Sequence, residues 1–468
     1  MRHKDSLADM EDKMAKVLIA SLGDGTKTES RGYEYKKTTY YRTDDSNGIS
    51  CETPFVSAAL KYMYEIDEII FIGTVGSSWS LLYKYLYDKE NTIIPGSNEI
   101  DKNYFRDLSN IYLNNIEGMK LSVSEMRKQL TKLKESMEGF CRDIIILEYG
   151  ITPDEQTKNL ETLNNLASSL NDDDRVYFDI SHAFRSLPFY ELLAINLAKS
   201  VFEKNITLEM VSYGMYEISE QNKDRTPIVD MTQLVEMLEW TRAVDDYRSK
   251  GSFDLLLNLL EGDSFGANIR NLMSDQAVDA FIKLLKIISS NNYNDIESIF
   301  DLYKTIINDP SIKQNHPLLS IVKQIATQIF EYFKQFENDQ IALVLRLVQW
   351  KIEKKQIVLA ALLLVNAIEN IGLDVLDIEL CNRTERGKVH RKLNNAKSED
   401  EYTKQFLEQY KEINDRRNGI AHIDPEEIDD ISSYIEKETK YILCSYQKHY
   451  MKGKDKRAIL KDALNNKK

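Results

Sequence analysis

The chain has 468 residues, 42% hydrophobic and 29% charged, with a formal net charge of −14. That length exceeds one ordinary core and implies two or three domains, while the acidic balance excludes a broad nucleic-acid-coating surface, because counterion release needs clustered Lys and Arg. No apolar run approaches the roughly 20 residues of a membrane helix, so a globular cytoplasmic protein without membrane contact is expected. Cys51, Cys141, Cys381 and Cys444 lie far apart with no CxxC pair; they point to no metal site and no disulfide framework, only reduced, buried thiols.

Residues 1–13 are polar, lack the apolar stretch of a signal peptide, and are expected to form a disordered leader before Met14. Lys16–Leu22 (KVLIASL) is a buried strand that stops at the permissive loop Gly23-Asp24-Gly25. Tyr33–Tyr41, rich in Tyr and Thr, reads as extended chain, and a helix is predicted from Thr53-Pro54 with Thr as cap. Glu68–Ile72 is a second strand. It ends in Gly73-Thr74-Val75-Gly76-Ser77-Ser78-Trp79, whose small residues would expose backbone amides to an anion at the start of the next helix. An ordinary strand-to-helix turn has the same composition.

Residues 91–140 form a polar, helix-rich insertion. Asp143–Leu147 is a third strand, a helix follows from Pro153 to Leu170, and Arg175–Ile180 is a fourth strand leading into Ser181-His182-Ala183-Phe184-Arg185-Ser186. Ile206–Tyr213 and Ile228–Val229 complete the sheet. This alternation predicts an α/β Rossmann-like domain over 14–231, with a parallel sheet core and helices on both faces. Such sheets bind ligands at the carboxyl ends of their strands, where the three polar loops converge. His182 and Arg185 suit a phosphate or an adenine edge there, although a His after a strand serves equally as a structural hydrogen-bonder. Without GxGxxG after the first strand, a dinucleotide dehydrogenase has little support.

From Thr232 the pattern is helical throughout, predicting an all-α domain over 232–468, with the strongly apolar stretch 341–372 at its core. Residues 382–392 read as a basic loop in which Arg383, Arg386 and Lys388 could guide RNA, as could Arg416, or form a solvated surface. An amphipathic helix, Tyr402–Ile420, delivers Arg417-Asn418-Gly419-Ile420-Ala421-His422; a last helix runs over 426–451, and the basic tail is expected to fray. Arg417 offers a permanent cation for phosphate and His422 an imidazole titrating near neutrality, the minimum for cutting RNA without a metal. Residues five apart on a regular helix diverge by about 140° and rise about 7.5 Å, so one site would need a helix break or a second protomer. The plainer alternative is that Arg416 and Arg417 compensate a helix terminus. Arg383 and His390 repeat the motif loosely, as a decoy.

GTVGSSW, DISHAFRSLP and RNGIAH, in that order, together resemble the CRISPR-associated ribonucleases of type III systems, which join a CARF sensor domain to a HEPN nuclease domain. The resemblance spans nearly the whole chain from Met14. Ser181 and Ala183 stand where relatives often have Thr and Gly. It implies a CARF domain over 14–231 and a HEPN domain over 232–468, a homodimer or higher homo-oligomer, and no cofactor. The activator would be a cyclic oligoadenylate, tetra-adenylate first and hexa-adenylate second, held by Gly23, Asp24, Gly25, Thr74, Gly76, Ser77, Ser78, Trp79, Ser181, His182, Arg185 and Ser186. The substrate would be single-stranded RNA, cut without metal when a 2′-hydroxyl attacks its phosphodiester and leaves a 2′,3′-cyclic phosphate. His422 would transfer the proton, Arg417 would meet the developing charge and Asn418 would position. The alternatives are a non-catalytic nucleotide-sensing regulator with a helical dimerisation domain, a ligand-independent HEPN toxin, and ligand degradation by the sensor itself.

Overall fold

The structure, a computed structural model, describes residues 14–465 except 24–25, 28–32, 44–47, 98, 117–120, 182–186, 220, 223, 263–268, 291–292, 381–382 and 420–427. Its contacts divide the chain into two compact units between Val235 and Glu236.

The first unit is built on an eight-stranded sheet in the order β5-β4-β10-β9-β8-β1-β6-β7. These strands are β1 (Lys16–Leu22), β4 (Thr38–Arg42), β5 (Ser50–Thr53), β6 (Glu68–Thr74), β7 (Cys141–Leu147), β8 (Arg175–Asp179), β9 (Thr207–Gly214) and β10 (Arg225–Asp230); β2 (Thr26–Lys27) and β3 (Tyr33–Glu34) pair separately. The five strands from β9 to β7 are mutually parallel, whereas β10 runs antiparallel to β9 and β5 antiparallel to β4. The sheet is therefore mixed at one side, where a parallel sheet was expected. Side chains alternate across the core strands: Leu18, Ala20, Ile69 and Phe71 enter one apolar cluster, Val17, Ile19, Ile70 and Ile72 the other. The first cluster is closed by α1 (Val56–Tyr64), α2 (Trp79–Leu86) and α4 (Val123–Glu135), the last two flanking α3 (Lys102–Ile116); α5 (Pro153–Ser169) and α6 (Leu187–Ser200) close the second. Thr53 does not cap α1 as expected. It ends β5, and Phe55 takes the cap position without a side-chain bond.

The second unit is helical. After α7 (Thr232–Lys250), which begins in the first unit, come α8 (Asp254–Glu261), α9 (Asp275–Ser289), α10 (Ile299–Ile307), α11 (Pro317–Phe333), α12 (Gln340–Glu353), α13 (Ile357–Val375), α14 (Arg383–Asn395), α15 (Glu401–Gly419), α16 (Ile428–Ser445) and α17 (Arg457–Asn465). The apolar stretch resolves into the helix pair α12 and α13 at the core centre. By length and composition α13 could cross a membrane, contrary to the sequence expectation, but most of it is buried in this core.

Three further expectations are corrected. The basic loop over 382–392 is the helix α14: Val389 and Leu393, four apart, are buried, and Val389 packs so closely on α13 that a Cβ at Gly372 would lie 2.5 Å from its Cγ1. The basic tail is not frayed through its length, since Leu460 and Leu464 of α17 are buried and Arg457 pairs with Asp374 and with Asp377 at 3.0 Å. Of the thiols expected to be buried, Cys51 is buried, Cys141 is partly so and Cys444 is exposed, while Cys381 lies outside the described residues.

Candidate functional site

At the carboxyl edge of the sheet, parallel register sets Ala20 beside Asp179, Leu22 beside Gly73 and Asp179 beside Ser212. The turn after β6 is tied down rather than open. Ser77 Oγ donates to the Leu22 carbonyl at 2.6 Å and accepts from the Thr74 amide at 2.9 Å; the Ser78 amide donates to the Gly23 carbonyl at 2.8 Å; and the Trp79 indole donates to the Thr74 carbonyl at 2.9 Å. Thr74, Ser77, Ser78 and Trp79 are all buried. A Cβ at Gly73 would sit 2.7 Å from both Ser77 Oγ and the Trp79 ring, and one at Gly76 would overlap the Tyr149 hydroxyl, so both glycines are dictated by close approach.

Ser77 thus ties this turn to the end of β1, and Trp79 closes the turn onto Thr74 at the end of β6. The hydroxyls of Thr74 and Ser78 are different, having no hydrogen-bond partner among the described residues. Ser181 is also a pin: its hydroxyl donates to Asp179 Oδ1 at 2.5 Å and accepts from the Gly214 amide at 2.7 Å. Asp24, Gly25, His182, Arg185 and Ser186 lie outside the described residues.

Two buried carboxyl groups that the sequence reading passed over sit at this edge. Asp179, at the end of β8, is fully buried; Ser181 and, at 3.4 Å, Ser212 reach its Oδ1, and its Oδ2 has no partner among the described residues. Burial pushes it up to about 7, against the lowering effect of those serine bonds. Glu191 of α6, also fully buried, accepts from Ser21 Oγ at 2.5 Å and leaves Oε2 without a partner among the described residues. Burial first, and the Asp179 charge after it, raise Glu191 to about 8. Both groups therefore hold their protons to higher pH than ordinary carboxyls do. A sequence signal existed: Glu191 is the lone acid in the apolar helix LPFYELLAINLA.

In the helical unit, α15 runs to Gly419 and brings Arg417 to its last turn, half-buried. The side chains of Asn418 and His422 lie outside the described residues, as does that of Arg383. Arg416 is engaged locally, 3.1 Å from Glu412 and stacked 3.9 Å over the Tyr434 ring. Lys388 pairs with Glu385 at 2.5 Å on the surface of α14. Arg386 turns inward, towards Glu369 at 3.7 Å and the Tyr293 hydroxyl. Arg386 and Arg416 thus both have intramolecular partners, Arg386 inside the helical unit and Arg416 on its surface. His390 is no bystander either, because its Nδ1 lies 2.9 Å from Glu369 Oε1 and 2.6 Å from the Tyr410 hydroxyl. Among the described residues no group of three or more His, Cys, Asp or Glu could hold a metal ion.

Residues 17–217, most of the first unit, match the family described as "CRISPR system endoribonuclease Csx1, CARF domain". The chain is also similar to CRISPR-associated protein MJ1674 of Methanocaldococcus jannaschii, with 28% identity over 305 residues, 63% of this chain and 44% of that relative's length. The chain thus covers less than half of the relative.

Proposed function

We propose that the protein is a cyclic oligoadenylate-activated, metal-independent endoribonuclease of type III CRISPR antiviral defence, cutting single-stranded RNA in a HEPN-like helical domain. The observation that carries this reading is the union, in one chain, of a Csx1-type CARF domain with a helical unit whose α15 delivers Arg417 and Asn418 just ahead of His422. CARF domains bind cyclic oligoadenylates. A ring of adenylates has rotational symmetry that matches the twofold axis of a dimer, and a dimer would also supply the second half of a site that one helix cannot close.

In this reading Arg417 binds the scissile phosphate and meets the charge that develops on it, His422 moves the proton between the 2′-hydroxyl and the leaving oxygen, and Asn418 orients the phosphate. The ligand would lie over the carboxyl edge of the sheet, against His182 and Arg185. Titration with rings of defined size tests the sensor half. Cyclic tetra-adenylate should stimulate cleavage of a fluorescent single-stranded RNA at lower concentration than cyclic hexa-adenylate, and linear tetra-adenylate should have little effect. Equal potency of linear and cyclic forms would count against a ring-shaped site.

A further inference from the structure

We infer that Glu369 is the hub of a buried positioning network, formed with Tyr410, His390 and Arg386, that fixes the face of α15 carrying Arg417. The inference rests on the ribonuclease reading.

Glu369 lies in the most apolar helix of the unit, 7% exposed among Ile368, Ile371 and Leu373, which are fully buried. A carboxylate placed there is costly unless its oxygens are filled. Oε1 is filled, accepting from the Tyr410 hydroxyl at 3.1 Å and from His390 Nδ1 at 2.9 Å, and Oε2 faces the charge of the Arg386 guanidinium at 3.7 Å. Asn394 Nδ2 lies 3.1 Å from the other ring nitrogen of His390, and an amide NH₂ can only donate. With the amide so oriented the ring proton sits on Nδ1, which faces both Glu369 Oε1 at 2.9 Å and the Tyr410 hydroxyl at 2.6 Å. Arg386, His390 and Asn394 follow one another at four-residue steps, so one side of α14 is devoted to this carboxylate.

The network reaches Arg417 along α15. Tyr410 and Arg417 are seven residues apart, two turns and only about 20° around the helix, so they share a face. Asn414 stands between them, 7% exposed, its Oδ1 without a partner among the described residues. The Tyr410 hydroxyl is raised by burial and by the charge and hydrogen bond of Glu369, and the opposing influence on it is the Arg417 charge. Tyr410, Asn414 and the half-buried Arg417 thus lie along one face of α15, with the buried carboxylate bonded at its Tyr410 end. Removing a bond at that end frees the helix to turn or slide, and a displacement of about 1 Å at a reacting group can cost about 100-fold in rate.

Tyr410→Phe deletes one donor while filling the same space, and Glu369→Gln removes the charge. With saturating cyclic tetra-adenylate, single-turnover cleavage should fall about 10- to 100-fold in each, with KM changed less than about threefold, since an interaction made in the transition state lowers kcat rather than binding. Near-UV circular dichroism identifies the folded variants. If Glu369→Gln does not fold, Tyr410→Phe and His390→Asn decide. Folded variants that cleave at the wild-type rate, or that lose KM alone, overturn the positioning role and leave the ribonuclease reading standing; an inactive wild type overturns both.

Discussion

Arg417→Ala should lower RNA cleavage by about 100- to 1000-fold, the usual effect of removing one preorganised donor from a developing negative charge. His422→Ala should lower it by about 100- to 10,000-fold, the range for a positioned general acid or base. Neither substitution should alter the affinity for cyclic oligoadenylate, because both lie in the helical unit and the CARF match is confined to residues 17–217. The two effects should not add. Residues that act together in one step lose most of their contribution when either is removed, so the double variant should be close to the worse single one. Cleavage unchanged in Arg417→Ala would return the arginine to its plainer role at a helix terminus.

The second large effect concerns stability and pH. Glu191 has a folded value of about 8 against an ordinary 4.5, and Asp179 about 7 against 3.8. The folded state thus holds these protons more tightly than the unfolded chain. The stabilisation is complete below the ordinary carboxylate range and is lost as pH rises through 7 to 8. Each pKa unit corresponds to about 1.4 kcal/mol, so Glu191 alone should weaken the sensor unit by on the order of 4 kcal/mol between pH 5 and 9. Glu191→Gln keeps the oxygen that accepts from Ser21 and can never ionise. It should leave thermal unfolding nearly unchanged at pH 5 and raise it by roughly 8–16 °C at pH 8.5. Parallel pH profiles for wild type and variant would show that Glu191 does not keep its proton.

The elements that sequence made legible are those whose own periodicity decides them. KVLIASL, EIIFI and RVYFDI are strands because a core strand buries both faces, and 341–372 is a buried helix pair because its apolar residues recur on either side of the polar break Glu353-Lys354-Lys355-Gln356. Pairing between distant segments was not legible. The pairing of β10 with β4 joins Arg225 to Thr39 across more than 180 residues, so this part of the mixed side of the sheet had no local signal.

The candidate sites divide in the same way. Small residues in the turn at 73–79 suited both an anion cradle and a buried tie, and only the bonds of Ser77 and Trp79 tell the two apart. Gly387 and six cationic or titratable side chains made α14 look like a loop, hiding Val389 and Leu393. Glu191 and Glu369 carried a usable signal, an acid set among apolar neighbours inside an apolar helix. Burial of that kind demands a partner, and here the partners are Ser21 in one unit and Tyr410 with His390 in the other.

Cleavage of a single-stranded RNA by the intact chain, followed with and without cyclic tetra-adenylate in excess EDTA, bears most directly on the protein's role. The expected result is rapid cutting only when the ring is present, unaffected by the chelator, with 2′,3′-cyclic phosphate ends. No cleavage with any ring would contradict the enzyme and leave a nucleotide-sensing regulator, while equal cleavage without the ring would contradict the sensor's control.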